Sequence, residues 1–105
     1  MSSLESFMDE MLTDQGKKEG FLNDLLENLE TQPIPTLEQA QTGYTTMSNL
    51  HGIYYDYDNH SVTISYKVVP DLYEDYTMNF LHFAVVIEGL ISCRRRQRWL
   101  LDKKL

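Results

Sequence analysis

Residues 68–105 read VVPDLYEDYTMNFLHFAVVIEGLISCRRRQRWLLDKKL, and this stretch decides the predicted fold. Pro70 ends an apolar run, and proline is tolerated in the first turn of a helix because no backbone N–H is needed there. Three acids follow and a cluster of arginines lies near the end, which is the charge order that a helix dipole favours. The stretch therefore predicts one long C-terminal helix over residues 70–104. Its apolar side recurs at intervals of three and four and comprises Tyr73, Tyr76, Phe80, Phe83, Ala84, Ile87, Leu90 and Ile91.

A β-hairpin is predicted immediately before this helix, over residues 53–69. Two runs rich in tyrosine, valine and isoleucine flank Asn59 and His60, and asparagine tolerates the positive φ that a two-residue turn requires. This turn sets Tyr55 opposite Ile64, so that apolar side chains meet on one face of the hairpin. We expect that inner face to pack against the C-terminal helix, and it comprises Ile53, Tyr55, Tyr57, Val62, Ile64, Tyr66 and Val68.

Residues 1–31 predict amphipathic helices. Ser2 and Glu5 form a capping-box pattern, and leucine, phenylalanine and methionine follow at helical spacing. Gly16 and Gly20 loosen this pattern. The sequence therefore fits either two short helices or one helix with a weak middle.

The segment that joins these helices to the hairpin is less regular. Prolines at positions 33 and 35 make a stiff connector. Thr36 begins a second capping box, which predicts a short helix that ends near Gln41. Residues 44–50 are ambiguous between strand and loop. Because two strands alone are marginally stable, a third strand is expected from residues 44–50 or from a second subunit.

Together these elements predict one small α+β domain over residues 1–105. Amphipathic helices occupy residues 1–31. A short helix and a small antiparallel sheet, centred on the hairpin, occupy residues 36–69. The long helix over residues 70–104 packs on the sheet and ends in a basic segment.

The charge of the chain is divided between an acidic body and a basic end. The formal net charge is −7 and the pI is about 4.7. Residues 1–88 hold 15 acids and 3 bases, whereas residues 89–105 hold 6 bases and 1 acid. This acidity argues against nucleic-acid binding by the whole surface. The two parts are expected either to attract each other or to meet different partners.

The basic end is the predicted partner-binding site, and it comprises Arg94, Arg95, Arg96, Arg98, Trp99, Lys103 and Lys104. Three interpretations remain open for it. These residues stabilise the helix end against acidic patches of the same fold or of a dimer mate, they bind an acidic protein, or they bind nucleic acid or a membrane surface. The apolar stripe passes through Arg94, Arg95 and Arg98, which predicts either a kink near Gly89 or separate packing of residues 99–101.

No sequence motif indicates catalysis. The chain lacks a glycine-rich phosphate loop, GxSxG, HExxH and paired-cysteine metal motifs. Residues 56–60 are read as a solvated hairpin tip rather than a metal site, and Asp75, Asn79 and His82 as a helix flank rather than an acid–base group. Cys93 is expected to be half-buried rather than reactive. We therefore predict a protein that is not an enzyme and holds no cofactor or metal.

The predicted function is that of a small acidic protein-interaction module, a homodimer that acts as an adaptor, chaperone or inhibitor of a larger protein. The alternative is a nucleic-acid-associated regulatory protein that uses residues 94–104. One cysteine allows no intrachain disulfide, the N-terminus resembles no signal peptide, and the longest apolar run is too short to span a membrane. A cytoplasmic protein is expected.

Overall fold

The computed structural model describes residues 2–13, 18–31 and 43–103, which form three helices and four strands. The helices are α1 (Ser3–Thr13), α2 (Lys18–Glu30) and α3 (Phe80–Lys103). The strands are β1 (Gly43–Met47), β2 (His51–Asp56), β3 (Ser61–Tyr66) and β4 (Tyr76–Asn79). The predicted α+β class is confirmed. The short helix predicted from Thr36 to Gln41 lies outside the described residues.

The four strands form one antiparallel meander in the order β1-β2-β3-β4. β1 pairs Tyr44 with Tyr55 of β2, so the third strand comes from this chain and not from a second subunit. β4 is a further strand that the sequence did not predict. It places Thr77 opposite Thr63, and the two hydroxyl groups are hydrogen-bonded at 2.8 Å.

The hairpin of β2 and β3 keeps the predicted faces but not the predicted register. Tyr55 pairs with Val62, and Ile53 pairs with Ile64. The predicted pairing of Tyr55 with Ile64 was therefore wrong. Because the shift is two residues, each side chain stays on the face that the alternation predicted, and all four are buried.

The register differs because the turn contains four residues, 57–60, instead of two. Asp56 closes this turn: its carboxylate accepts hydrogen bonds from the backbone N–H groups of Asp58 and Asn59, both at 3.1 Å, and from the Asn59 side chain at 2.7 Å. His60 then adopts a φ of 52°, in the left-handed region. A short polar side chain that bonds to the following backbone favours this longer turn over the two-residue one.

β3 ends at Tyr66, short of the predicted end at residue 69. Lys67 donates its N–H to the carbonyl of Leu50 at 2.9 Å, and the chain then leaves the sheet in a turn closed by Leu72 N–H and Val69 O. Val68 is 54% exposed, so its predicted place on the inner face was wrong.

The C-terminal helix begins at Phe80, ten residues later than Pro70. The prediction of a helix from residue 70 was wrong, because Asp71 adopts a left-handed φ of 62° and residues 76–79 pair with β3 as a strand. Asn79 is the actual cap: its Oδ1 accepts the backbone N–H of His82 at 2.7 Å. Asparagine at this position satisfies one of the unpaired donors of the first turn.

α1 begins at the capping box that the sequence predicted. Ser2 N–H donates to Glu5 Oε1, and Glu5 N–H donates to Ser2 Oγ, both at 3.3 Å. Ser3 N–H also donates to the carbonyl of Glu74 at 2.9 Å, and a short parallel bridge joins Ser2 to Glu74. The beginning of α1 is thereby fixed beside the loop that precedes β4.

The helices cover one face of the sheet, and the core lies between the two layers. Two hydroxyl groups join α2 to β2 and to the turn: Tyr55 donates to Leu25 O at 2.9 Å, and Tyr57 donates to Asn28 O at 2.8 Å. No helix among the described residues is long and apolar enough to cross a membrane. The buried apolar residues are Phe7, Met11, Leu22, Leu25, Ile53, Tyr55, Val62, Ile64, Met78, Phe83, Ile87, Leu90 and Ile91.

Candidate functional site

Arg94, the first residue of the predicted basic site, is part of the fold. Its Nη1 donates to the carbonyl of Met11 at 2.6 Å, across 83 residues of sequence. Met11 belongs to the last turn of α1, where backbone carbonyls have no partner within the helix. A guanidinium donor is a strong partner for such a carbonyl. Arg94 therefore joins α3 to the end of α1.

Arg95 and Arg98 both bind Glu19 in the first turn of α2. Arg95 Nε lies 2.6 Å from Glu19 Oε1, and Arg98 Nη2 lies 2.8 Å from Glu19 Oε2. The hydrogen bond from Arg95, together with the charges of Arg98 and Arg94, holds the pKa of Glu19 below its ordinary value. The attraction between the basic end and the acidic body thus operates within one chain.

Arg96 and Trp99 take no part in the contacts with Met11 and Glu19. Both are exposed, and α3 continues through Gly89 as one helix, so that Trp99 and Leu100 remain on its surface. The side chain of Lys103, and Lys104 as a whole, lie outside what the structure describes. The predicted site is therefore divided: Arg94, Arg95 and Arg98 contact other helices of the fold, whereas Arg96 and Trp99 are exposed apart from those contacts.

A buried polar network, which the sequence did not predict, joins α1 to the sheet. His51 is fully buried, its Nδ1 lies 2.7 Å from Glu10 Oε1, and its Nε2 lies 2.9 Å from Ser6 Oγ. Ser48 Oγ donates to the same Glu10 oxygen at 2.8 Å and accepts the backbone N–H of His51 at 3.0 Å. Phe7 and Tyr66 cover the imidazole with edge contacts.

The order hydroxyl, imidazole and carboxylate in this network is the one that activates nucleophiles in many enzymes. Here Ser48 shares the carboxylate oxygen, and the enclosed imidazole of His51 uses both nitrogens on protein partners. These contacts link α1, the β1–β2 turn and β2, which supports a role in holding the fold. The one signal in the sequence was the spacing of Ser6 and Glu10, four residues apart on one side of a helix.

A cleft of about 400 Å³ opens beside this network. Tyr66 and Tyr73 form one wall, with ring centroids 4.8 Å apart. The lining residues are Ser6, Asp9, Glu10, Thr13, Asn49, Leu50, Tyr66 and Tyr73. Aromatic rings and a few polar groups around one concavity are typical of binding sites in proteins.

Four exposed aliphatic side chains lie on the two segments that carry Leu50, Tyr66 and Tyr73 of this cleft, and we refer to them as the apolar end: Leu50, Val68, Val69 and Leu72. They come from two adjacent segments, because Lys67 is hydrogen-bonded to Leu50. The apolar end lies on the turn before β2 and on the loop between Tyr66 and Tyr73. None of these four residues is among the predicted site residues. Val68 is instead predicted to lie on the inner face of the hairpin.

The other candidate groups in the sequence lie in separate places. The Asp56 carboxylate accepts hydrogen bonds within the hairpin turn, and those from the side chain and backbone of Asn59 lower its pKa. The backbone N–H of His82 donates to the side chain of Asn79 at the start of α3. Cys93 is exposed and not half-buried as predicted, because it lies off the buried side of α3. Among the described residues, no three acids, histidines or cysteines are grouped so that they could hold a metal ion.

Comparison of the chain with protein-family models, with curated proteins and with solved structures gave no match.

Proposed function

We propose that this chain is a small protein-interaction module, an adaptor, chaperone or inhibitor, which binds a segment of a larger protein at the apolar end. The observation behind the proposal is that the apolar end exposes four large aliphatic side chains beside a cleft with an aromatic wall. Val68 is 54% exposed and Leu72 is 52% exposed. Several large apolar side chains exposed on adjacent segments are typical of interaction sites in soluble domains.

The charges around the apolar end favour a basic segment as the ligand. Asp71, Glu74 and Asp75 are exposed on the same loop as Leu72, and Asp9 lines the cleft on the side of α1. A segment with aliphatic side chains for the cleft and lysine or arginine beside them would match both properties. This charge pattern also agrees with the acidic body that the composition indicates.

Hydrogen bonds join both segments around the cleft to α1. Ser48 and His51 fix the turn that presents Leu50, through the hydrogen bonds to Glu10. On the other side, Ser3 Oγ donates to the carbonyl of Tyr73 at 3.4 Å. A preformed surface loses little conformational entropy when a partner binds.

The proposal is tested by replacing Leu72 with a photo-crosslinking amino acid in the protein expressed in its natural host cells. The crosslinked protein is identified, produced in pure form and titrated against the wild type and Leu72→Asp. We expect Leu72→Asp to weaken binding by at least about tenfold, because it places a carboxylate against apolar surface.

Leu100→Asp is the matched control, because Leu100 is also a leucine that is about half exposed but lies on α3. We expect this variant to bind the larger protein as the wild type does. Equal binding by Leu72→Asp and the wild type would exclude the apolar end as the site of the larger partner.

The nucleic-acid alternative remains a prediction with less support. Arg94, Arg95 and Arg98 are engaged with Met11 and Glu19, which leaves Arg96 as the arginine of the described basic end that takes no part in those contacts. Oligonucleotide binding that weakens steeply with added salt, and that Arg96→Ala abolishes, would favour this alternative.

A further inference from the structure

The outer face of α3 differs from every other helix surface of the described chain in its exposed apolar content. Leu81 is 75% exposed, Val85 is 60% exposed and Trp99 is 58% exposed. The opposite side of the same helix contributes Phe83 and Ile87 to the core. We refer to the outer face of α3 as the surface formed by Leu81, Val85, Glu88, Ser92, Arg96 and Trp99.

These six residues lie on one side of the helix, which Arg95, bound to Glu19, borders. Leu81 and Trp99 are 18 residues apart, which is about five turns at 3.6 residues per turn. Val85 and Ser92 lie between them at the spacing of one helical face. A helix of this length therefore presents a straight surface of about 27 Å, at a rise of about 1.5 Å per residue.

The sequence along this side is complementary to itself when reversed about Ser92. Val85 and Trp99 both lie seven residues from Ser92, one on each side. Glu88 and Arg96 both lie four residues from it. A second copy of α3 that runs in the opposite direction would place apolar against apolar and acid against base at each of these positions.

We infer that a second copy of the chain packs on the outer face of α3, in an antiparallel pair centred on Ser92. Val85 contacts the partner's Trp99, and Glu88 pairs with the partner's Arg96. A two-fold axis repeats each contact, as in the isologous interfaces of most homodimers. This inference goes beyond the proposed function, because it concerns a different surface from the apolar end.

The charges of the outer face select the antiparallel orientation. Glu88 and Arg96 are exposed, and neither forms an ion pair within the described part of the chain. A parallel pair in register would place Glu88 against Glu88 and Arg96 against Arg96, which repel. The antiparallel pair converts both repulsions into attractions.

The centre of the outer face allows close approach of two helices. Ser92 has a small side chain, and one turn earlier Gly89 has none. A Cβ atom added to Gly89 would meet no atom within 4 Å, so packing inside the chain does not require glycine there. Glycine inside a helix is less favourable than alanine, because its backbone loses more conformational freedom. Close approach of a partner helix on this side of α3 accounts for glycine at position 89.

Charge reversal tests the arrangement. Sedimentation velocity over a range of concentrations is expected to show a wild-type dimer, and Glu88→Arg or Arg96→Glu alone to weaken it by at least about tenfold. An equimolar mixture of the two variants should dimerise again, because a face with arginine at both positions then meets a face with glutamate at both. The double variant E88R/R96E should also recover the dimer.

Recovery in the mixture cannot arise from altered folding of either variant, since neither chain changes when they are mixed. A wild type that stays monomeric, or single variants with the wild-type affinity, would overturn the inference. Leu72→Asp serves as the control and should leave the dimer unchanged, which separates a failure here from a failure of the apolar end.

Cys93 provides a second readout, because it is exposed and lies next to the centre of the proposed pair. In an antiparallel pair centred on Ser92, the two Cys93 thiols lie on the same flank, within reach of a short bismaleimide. We expect a covalent dimer from the wild type and from the mixture of single variants, and little from Glu88→Arg alone. Equal crosslinking in all three samples would contradict the register.

Discussion

Glu10 Oε1 lies 2.7 Å from Nδ1 of His51, although 41 residues separate them in the sequence. Both residues are buried, and the contact joins the middle of α1 to the first residue of β2. Glu10 Oε1 also accepts the hydroxyl of Ser48, and in the tautomer that matches an accepting oxygen Nδ1–H donates to Glu10. Nε2 is then available for the hydroxyl of Ser6.

This network should contribute substantially to stability. His51→Ala would leave the Glu10 carboxylate buried without its imidazole partner, and we expect a loss of about 2–4 kcal/mol in the free energy of unfolding. Urea denaturation followed by circular dichroism measures the change. His82→Ala is the matched control at an exposed histidine and should change stability by less than about 0.5 kcal/mol. Similar losses in both variants would contradict a role for the network.

The cap of α3 should have a measurable effect of its own. Asn79→Ala removes the acceptor of the His82 N–H, and we expect a loss of about 1 kcal/mol. Asn23→Ala, at an exposed position inside α2, should cause no loss because alanine is the better helix former. Thermal unfolding of the two variants separates the cap from a general effect of losing an asparagine.

The arginines of the basic end should differ in their effect on stability. Arg94→Ala removes a charged donor from the carbonyl of Met11 and should cost about 2 kcal/mol. Arg95→Ala breaks an exposed ion pair with Glu19 and should cost less than about 1 kcal/mol. The smaller effect should fade at high salt, whereas the larger one should persist. Urea titrations with and without added sodium chloride measure both.

The hairpin turn should contribute to the loss of stability in acid. Hydrogen bonds from Asn59 lower the pKa of Asp56 from its ordinary value of 3.8. A lowered pKa in the folded state stabilises the fold above the unfolded pKa, and this stabilisation is lost as the pH falls through the folded pKa. Asp56→Asn should therefore lose less stability than the wild type between about pH 5 and pH 2.5.

Asp58→Asn is the control for this titration, because Asp58 enters the turn through its backbone N–H alone among the hydrogen bonds described. It should retain the pH dependence of the wild type. A wild-type dependence in Asp56→Asn would show that other carboxylates account for the acid transition.

Much of the fold followed from patterns within a few residues of each other. The capping box of Ser2 and Glu5 predicted the beginning of α1, and the alternation in β2 and β3 predicted which side chains are buried. The apolar stripe of α3 was predicted to pass through Arg94, Arg95 and Arg98; Arg94 is half-buried, whereas Arg95 and Arg98 are exposed. Such signals are readable because their cause is local: a cap or an alternating face involves side chains of one element.

The start of α3 could not be read in this way. Tyr76 and Phe80 are four residues apart, which suits a helix, but Tyr76 and Met78 also alternate as in a strand. Pairing with β3 decides between the two, since it satisfies the backbone groups of residues 76–79. The predicted first-turn acids consequently lie in a loop instead of a helix.

By itself, the sequence determined the α+β class, the faces of the hairpin, the beginning of α1 and the division of charge, because each depends on neighbouring residues or on composition. The tertiary structure decided that Glu10 meets His51, that Arg94 binds Met11, and that the apolar end and the outer face of α3 remain exposed. Those contacts join residues that are far apart in the chain. Such residues meet only when the helices pack on the sheet. Burial then makes an unpaired polar group costly, so polar side chains in the interface pair with each other, and it removes the apolar surface of the core from water.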